Sequence, residues 1–134
     1  MLVFGRDRDV AAWVGQRIGV FDFGPCSAIG VVRGGHMVAG AVFHQYRHPA
    51  IEMSFASTTP RWASKDAVRG ILRYPFVQLN CRRLTAITPE ENLDAQKALV
   101  RLGFRLEGVH PDALMSGAAV SYGLLRKNAE RWIA

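Results

Sequence analysis

Along this chain the spacing of apolar residues switches between two and three-to-four. The stretches Ala28 to Val32 and His36 to Tyr46 flank Arg33-Gly34-Gly35. A Gly-Gly pair can take the positive backbone angles of a tight turn, so a β-hairpin is predicted. Gly40 lies inside the second arm, where a glycine marks a bulge or a close backbone approach. His48-Pro49 breaks the run, after which Ile51, Met53 and Phe55 alternate with Glu52, Ser54 and Ala56 as a third antiparallel strand. Arg83 to Thr88, carrying Leu84 and Ala86, reads as another short strand, and Ala119 to Arg126, with Val120, Tyr122 and Leu124, as a closing one.

The other spacing gives helices. Leu2 to Phe4 reads as an edge strand, after which Asp9 can cap a short helix through Ile18 with Val10, Trp13, Val14 and Ile18 on one side. Phe21 to Ser27, with Gly24 and Pro25, reads as a loop or the irregular start of a strand. Beyond the polar turn Ser57 to Pro60, a helix is predicted from near Ser64 to before Pro75, weakened by Gly70. Asn92 opens a third helix with Ala95, Ala98, Leu99 and Leu102 on its buried face. Gly103 supplies its left-handed end, and Phe104 returns the chain to the core. Thr88-Pro-Glu-Glu91 offers a rival start, a capping box with proline at the first helical position. Asn128 to Ala134 is left as a tail anchored by Trp132. The order is strand, helix, three strands, helix, strand, helix, two strands, which makes a mixed α/β sheet with both faces partly covered.

Composition narrows this. The 134 residues suffice for one domain, residues 1–134, that buries about two thirds of its unfolded surface. Hydrophobic content of 49% and charged content of 21% are globular, and no apolar run approaches the roughly 20 residues a membrane helix needs. Met1 to Gly5 followed by Arg6, Asp7, Arg8 and Asp9 does not read as a signal peptide, so a cytoplasmic protein is expected, with Cys26 and Cys81 as reduced thiols. No spacing suggests a metal site. A net charge of +6 favours an anionic partner, a nucleic acid or a polyphosphate cofactor. The densest basic group, Arg61, Lys65, Arg69 and Arg73, would form one ridge on a helix, either a solvated face or a phosphate-binding rim. Arg61-Trp62 and Arg73-Tyr74 are the only hints of aromatic and basic interleaving for nucleic acid.

Asn92, Ala95 and Gly103-Phe104 stand at the spacing of the final helix in the Gcn5-related N-acetyltransferases, and the sequence resembles that family there. The resemblance continues through Phe104-Arg-Leu-Glu-Gly108 and upstream through Phe76-Val-Gln-Leu-Asn-Cys-Arg-Arg83, most similar to the ribosomal-protein acetyltransferase branch, and covers roughly residues 26 to 128. It implies an acyl-CoA N-acyltransferase fold, acetyl-CoA as acyl donor and an amine acceptor. It also implies a gap between Ile51 to Ala56 and Arg83 to Thr88 that admits the cofactor. The N-terminal region fits one helix where the family has two.

By that resemblance Phe55, Ala56, Arg61, Ala63, Ser64 and Lys65 line the coenzyme A side, where backbone amides at a helix start hold the pyrophosphate. Here the sequence departs from the family: counted from Arg61, Ser64 and Asp66 fall on the glycine positions, and counted from Trp62, Lys65 and Ala67 do. Lys65 could compensate with its charge. Asn92 would lie near the pantetheine arm or serve only as a helix cap. Glu52 is the expected base for the acceptor amine, or else a charge on a solvent-facing strand; His44 and His48 are alternative bases. At Leu99 many relatives carry a tyrosine acid. Either Ser121 or Tyr122 takes that role, or the thiolate, with an ordinary pKa of about 8.5, leaves unassisted. Cys81 has no histidine nearby in sequence and makes a poor nucleophile candidate. The competing reading is a non-catalytic module on the same scaffold that binds nucleic acid or protein. Dimerisation through Trp13 and Trp132 is a further option.

Overall fold

The computed structural model describes residues 1–134. The chain runs β1 (Leu2–Val3), α1 (Asp7–Ile18), β2 (Cys26–Arg33), β3 (His36–Arg47), β4 (Ala50–Ser57), a 3₁₀ turn (Pro60–Trp62), α2 (Lys65–Arg73), a π turn (Tyr74–Gln78), β5 (Arg83–Pro89), α3 (Leu93–Leu102), β6 (Arg105–Leu114), β7 (Gly117–Leu125) and α4 (Arg126–Ile133). The strands form one sheet in the order β1-β2-β3-β4-β5-β7-β6, with β4 and β5 parallel and the other neighbours antiparallel. No helix is long and apolar enough to cross a membrane.

The local signals act largely as expected. Gly34 and Gly35 turn the β2–β3 hairpin at φ of 58° and 80°. Gly103 ends α3 at φ 107°. Gly40 marks a close approach: a Cβ there would lie 2.7 Å from a methyl of Val14 on α1. Two expectations need correcting, at Asp9 and at the C-terminal tail. Asp9 does not cap α1; it lies in the first turn and pairs with Arg6, which takes the cap position without a side-chain bond. As expected, α2 ends before Pro75, at Arg73, but a π turn follows it directly. Pro75 fits the first turn of the π segment, where its missing N–H costs little, and Leu79 N–H donates to the Tyr74 carbonyl at 3.0 Å. β6 fills most of the stretch between Phe104 and Ala119, running to Leu114. The C-terminal tail is helix α4: Ala129 and Ile133 are buried, and Trp132 donates its indole N–H to the Leu102 carbonyl at 2.8 Å, so this side chain serves an internal contact.

Strand alternation divides the core unequally. Val31, Ala41, Phe43, Met53, Leu84 and Leu124 point to the face covered by α2, α3 and α4, in a cluster of 22 buried residues. The opposite face has α1 alone, and its cluster is five residues, Val10, Val14, Ala28, Val42 and Ala56. Beyond α1 that second face is open over β5, β7 and β6.

The β4–β5 pair positions everything that follows. Its register runs from Ala50↔Arg83 to Met53↔Ala86 and stops there, although β4 continues to Ser57 and β5 to Pro89. Ser54 to Ser57 and Ile87 to Pro89 are therefore unpaired with each other, which is the gap expected between these strands. β4 stays laddered to β3 throughout, and β5 to β7.

Candidate active site

On the closed face, the gap is bounded at one side by the start of α2. Phe55 stacks on Trp62 with centroids 4.5 Å apart, a shelf that carries the 3₁₀ turn with Arg61 and leads through Ala63 into the helix. Ser64 is the N-cap of α2: its Oγ accepts from the Ala67 N–H at 3.1 Å and receives a guanidinium N–H of Arg33 at 3.1 Å. Arg33 also donates to the Trp62 carbonyl at 3.4 Å. Lys65 is exposed in the first turn. Arg33, Lys65 and the first amides of α2 thus bring positive charge to one spot, with Asp66 the opposing carboxylate. Arg61 lies outside α2, so the predicted four-membered ridge is reduced to Lys65, Arg69 and Arg73, and Arg73 is itself bonded to the Ile133 carbonyl at 2.7 Å. Ala56 is buried on the other face under α1, so only its backbone borders the gap.

The far wall is α3. Asn92 caps it, its Oδ1 accepting from the Ala95 N–H at 3.1 Å, while Thr88 and Pro89 remain in β5, so the rival capping box is unused. The stripe Ala95, Leu99 and Leu102 faces the sheet, yet no residue of α3 is fully buried. Its N-terminal half stands off the sheet and leaves a shallow depression of about 410 Å³ lined by Leu93, Gln96, Lys97, Val100, Arg101 and Tyr122. The Tyr122 hydroxyl donates to Gln96 Oε1 at 2.9 Å. Tyr122 is opposite Ala86, level with the last β4–β5 pair, and on the same face as Leu99. Ser121 points to the other face, where its Oγ lies 2.9 Å from His110 Nε2. Of the two candidate acids, Tyr122 alone is on the α3 side.

On the open face, β3 and β4 bring His44 opposite Glu52. His44 Nδ1 is 4.0 Å from Glu52 Oε2, and its Nε2 is 2.8 Å from Ser54 Oγ. The ring of Phe23 covers it at 5.3 Å. Burial pushes the His44 imidazole below its ordinary pKa, and the Glu52 charge pulls the other way. Glu52 is the penultimate β4 residue before the strands part, and Ser54 the first after. His48 is remote from this pair, edge-on to Tyr46 at 6.4 Å. At the laddered end of the β4–β5 pair, away from the gap, Arg83 forks onto Glu107 at 2.7 and 2.6 Å above Gly123, where a Cβ would fall 2.4 Å from the Glu107 carboxylate. Hydrogen bonding to Arg83 holds the Glu107 carboxyl below its usual range.

Sequence reasoning did not find Arg33, the Gln96–Tyr122 bond, the Ser54–His44 contact or the Arg83–Glu107 pair. Each joins residues from different elements, and Arg33 reaches Ser64 across 31 positions, so no local spacing marks them. Two hints of nucleic-acid binding turn inward: Trp62 is buried and Tyr74 packs on Phe43 at 4.9 Å.

A seven-stranded mixed sheet with a lone parallel pair that parts halfway, a helix start at one side of the gap and polar groups at the other, is the fold of the Gcn5-related acyl-CoA N-acyltransferases. Comparison of the sequence with protein-family models and with curated proteins finds no match. Solved structures do match. A variant of a spermidine N-acetyltransferase from Vibrio cholerae superposes with a TM-score of 0.74 at 12% identity, covering 98% of this chain and 98% of its own. A ribosomal-protein alanine acetyltransferase from Vibrio fischeri gives 0.70 at 13% identity over 99% of this chain and 94% of its own. A GNAT-family acetyltransferase from Bacillus anthracis gives 0.60 at 20% identity over 75% of this chain, which spans 66% of that protein's length.

Proposed function

We propose that this chain is an N-acetyltransferase that moves acetyl from acetyl-CoA to a primary amine of a small molecule, peptide or protein. The observation that carries the reading is the half-open β4–β5 pair, with a cationic helix start on one face and Glu52 with His44 on the other. Past Met53 the β5-facing edge of β4 carries backbone groups with no ladder partner, which water or a ligand can satisfy. An extended pantetheine arm carries amides that can bond to the unpaired edge of β4, and the thioester then lies where the strands diverge.

The chain's own residues divide the work. The first amides of α2, Lys65 and Arg33 would hold the pyrophosphate. Phe55 and Trp62 shape the wall, and Asn92 sets the start of α3. Glu52 attracts the cationic acceptor and, together with His44, forms the basic group that leaves its nitrogen lone pair free. Tyr122 stands on the thiol side as the proton donor, a role Leu99 cannot fill. The departures at the glycine positions are eased because Ser64 is small and turned onto the helix it caps.

Calorimetry with acetyl-CoA tests the reading directly, and micromolar binding is expected. No binding to acetyl-CoA with salt-sensitive binding to an oligonucleotide would establish the scaffold-only module instead.

A further inference from the structure

Two hydroxyls on β4 lie past the last pairing with β5, Ser54 and Ser57, and of these Ser54 is on the same face as Glu52 and in contact with His44. We infer that Ser54 and His44 form the proton path from the acceptor: Ser54 Oγ meets the amine, His44 Nε2 receives the proton, and Glu52 sits behind the imidazole. This rests on the acetyltransferase reading and names the route that reading leaves open.

The geometry gives the order of events. With the imidazole proton on Nδ1, toward Glu52, the bare Nε2 accepts from Ser54 across 2.8 Å. The Ser54 oxygen then keeps a lone pair facing the gap. An N–H bond of the bound ammonium breaks as the Ser54 oxygen takes that proton, while the original Ser54 O–H proton passes to His44 Nε2. The freed amine lone pair attacks the thioester carbonyl, the C–N bond forms, and the C–S bond breaks with its electron pair leaving on sulfur. The departing sulfur takes the Tyr122 hydroxyl proton, the second ammonium proton restores that hydroxyl, and His44 returns the first to water beside the partly exposed Glu52.

The surroundings of His44 suit the task. From β4 it faces Glu52, whose charge favours the imidazolium once formed. From β2 it faces Cys26, its register partner, whose thiol is kept neutral by burial and by Asp7 and Asp22. The loop after α1 contributes the Phe23 ring, while its Asp22 carboxylate acts on Cys26. Burial keeps His44 neutral, and therefore able to accept, at neutral pH. The second serine and histidine pair, Ser121 with His110, lies across the gap on β7 and β6 and has no carboxylate within ion-pair distance of its ring. It is the internal control.

The test is steady-state turnover with a panel of primary amines at saturating acetyl-CoA, with acetyl-CoA affinity measured on each variant. Ser54→Ala and His44→Gln should each lower turnover about 10²-fold with cofactor affinity unchanged, Ser54→Thr should restore most of it, and Ser121→Ala should keep it. The Ser54→Ala/His44→Gln double variant should fall no further than the worse single one, because both sit on one path. Full turnover in Ser54→Ala, failure of Ser54→Thr to recover, loss in Ser121→Ala instead, or a double variant that loses the product of the two factors would each overturn the relay while leaving the acetyltransferase intact. An unmodified chain that binds acetyl-CoA but turns over no amine in the panel would overturn the relay, and one that does not bind acetyl-CoA would overturn the acetyltransferase reading with it.

Discussion

The face that carries α2, α3 and α4 is closed by a continuous 22-residue core, whereas the face under α1 has a five-residue core and is otherwise open. Both are made by the same strands, one from the odd and one from the even positions of β4. Ile51 and Met53 go into the closed face and are buried; Glu52 and Ser54, their immediate neighbours, go to the open one and stay partly exposed. Stability and chemistry are thus separated by one residue of register rather than by distance along the chain. The closed face holds the frame rigid, and the open face can hold polar groups because only α1 and the Phe23 ring pack on it.

This contrast can be broken from either side. The largest effect is expected on the closed face: Phe43→Ala, at a side chain 1% exposed, should cost about 3 to 5 kcal/mol in denaturant unfolding. Val14→Ala on the open side should cost less, about 1 to 3 kcal/mol. Equal losses would mean that α1 belongs to the main core. Glu52→Gln comes next, lowering amine turnover about 10²-fold with acetyl-CoA affinity preserved and the deficit shrinking as pH rises and free amine accumulates. Unchanged turnover from pH 6 to 9 would remove Glu52 from the reaction. Lys65→Glu should act in the opposite sense, weakening acetyl-CoA binding by about 1 to 3 kcal/mol and leaving turnover at saturation nearly intact. Normal affinity in that variant would move the pyrophosphate site away from α2.

The smallest effect concerns pH. His44 is held below its unfolded value by burial, so the unfolded chain binds its proton more readily. Its contribution to stability is present in full above about pH 6.5 and is lost as pH falls through the folded value. Urea midpoints should therefore drop between pH 7.5 and 5.5, and His44→Gln should flatten that drop. A midpoint drop of the same size in the variant would assign it to another group.

Much of the frame was written locally. Gly34-Gly35 made its hairpin, Asn92 and Gly103 set the ends of α3, and the alternation at Ile51 to Ala56 chose which side chains enter the core, because turn angles, caps and pleat depend on near neighbours. Local signals misled where another element intervened. Asn128 to Ala134 is polar enough to read as a tail, yet it is helical because the surface left between α2 and α3 buries Ala129 and Ile133. Trp132 is held by a carbonyl 30 residues away. The proposed catalytic side was legible in part: the sequence by itself marked Glu52 and named His44, and it determined that both would stand on strands. Only the tertiary structure decided that they meet. His44 reaches Glu52 through cross-strand register and Ser54 through a diagonal on the same face, and Arg33 reaches Ser64 by a turn of the hairpin. The point where β4 and β5 part is likewise invisible in either strand, since an interrupted ladder is a property of the pair and needs both strands placed by their other neighbours, β3 and β7.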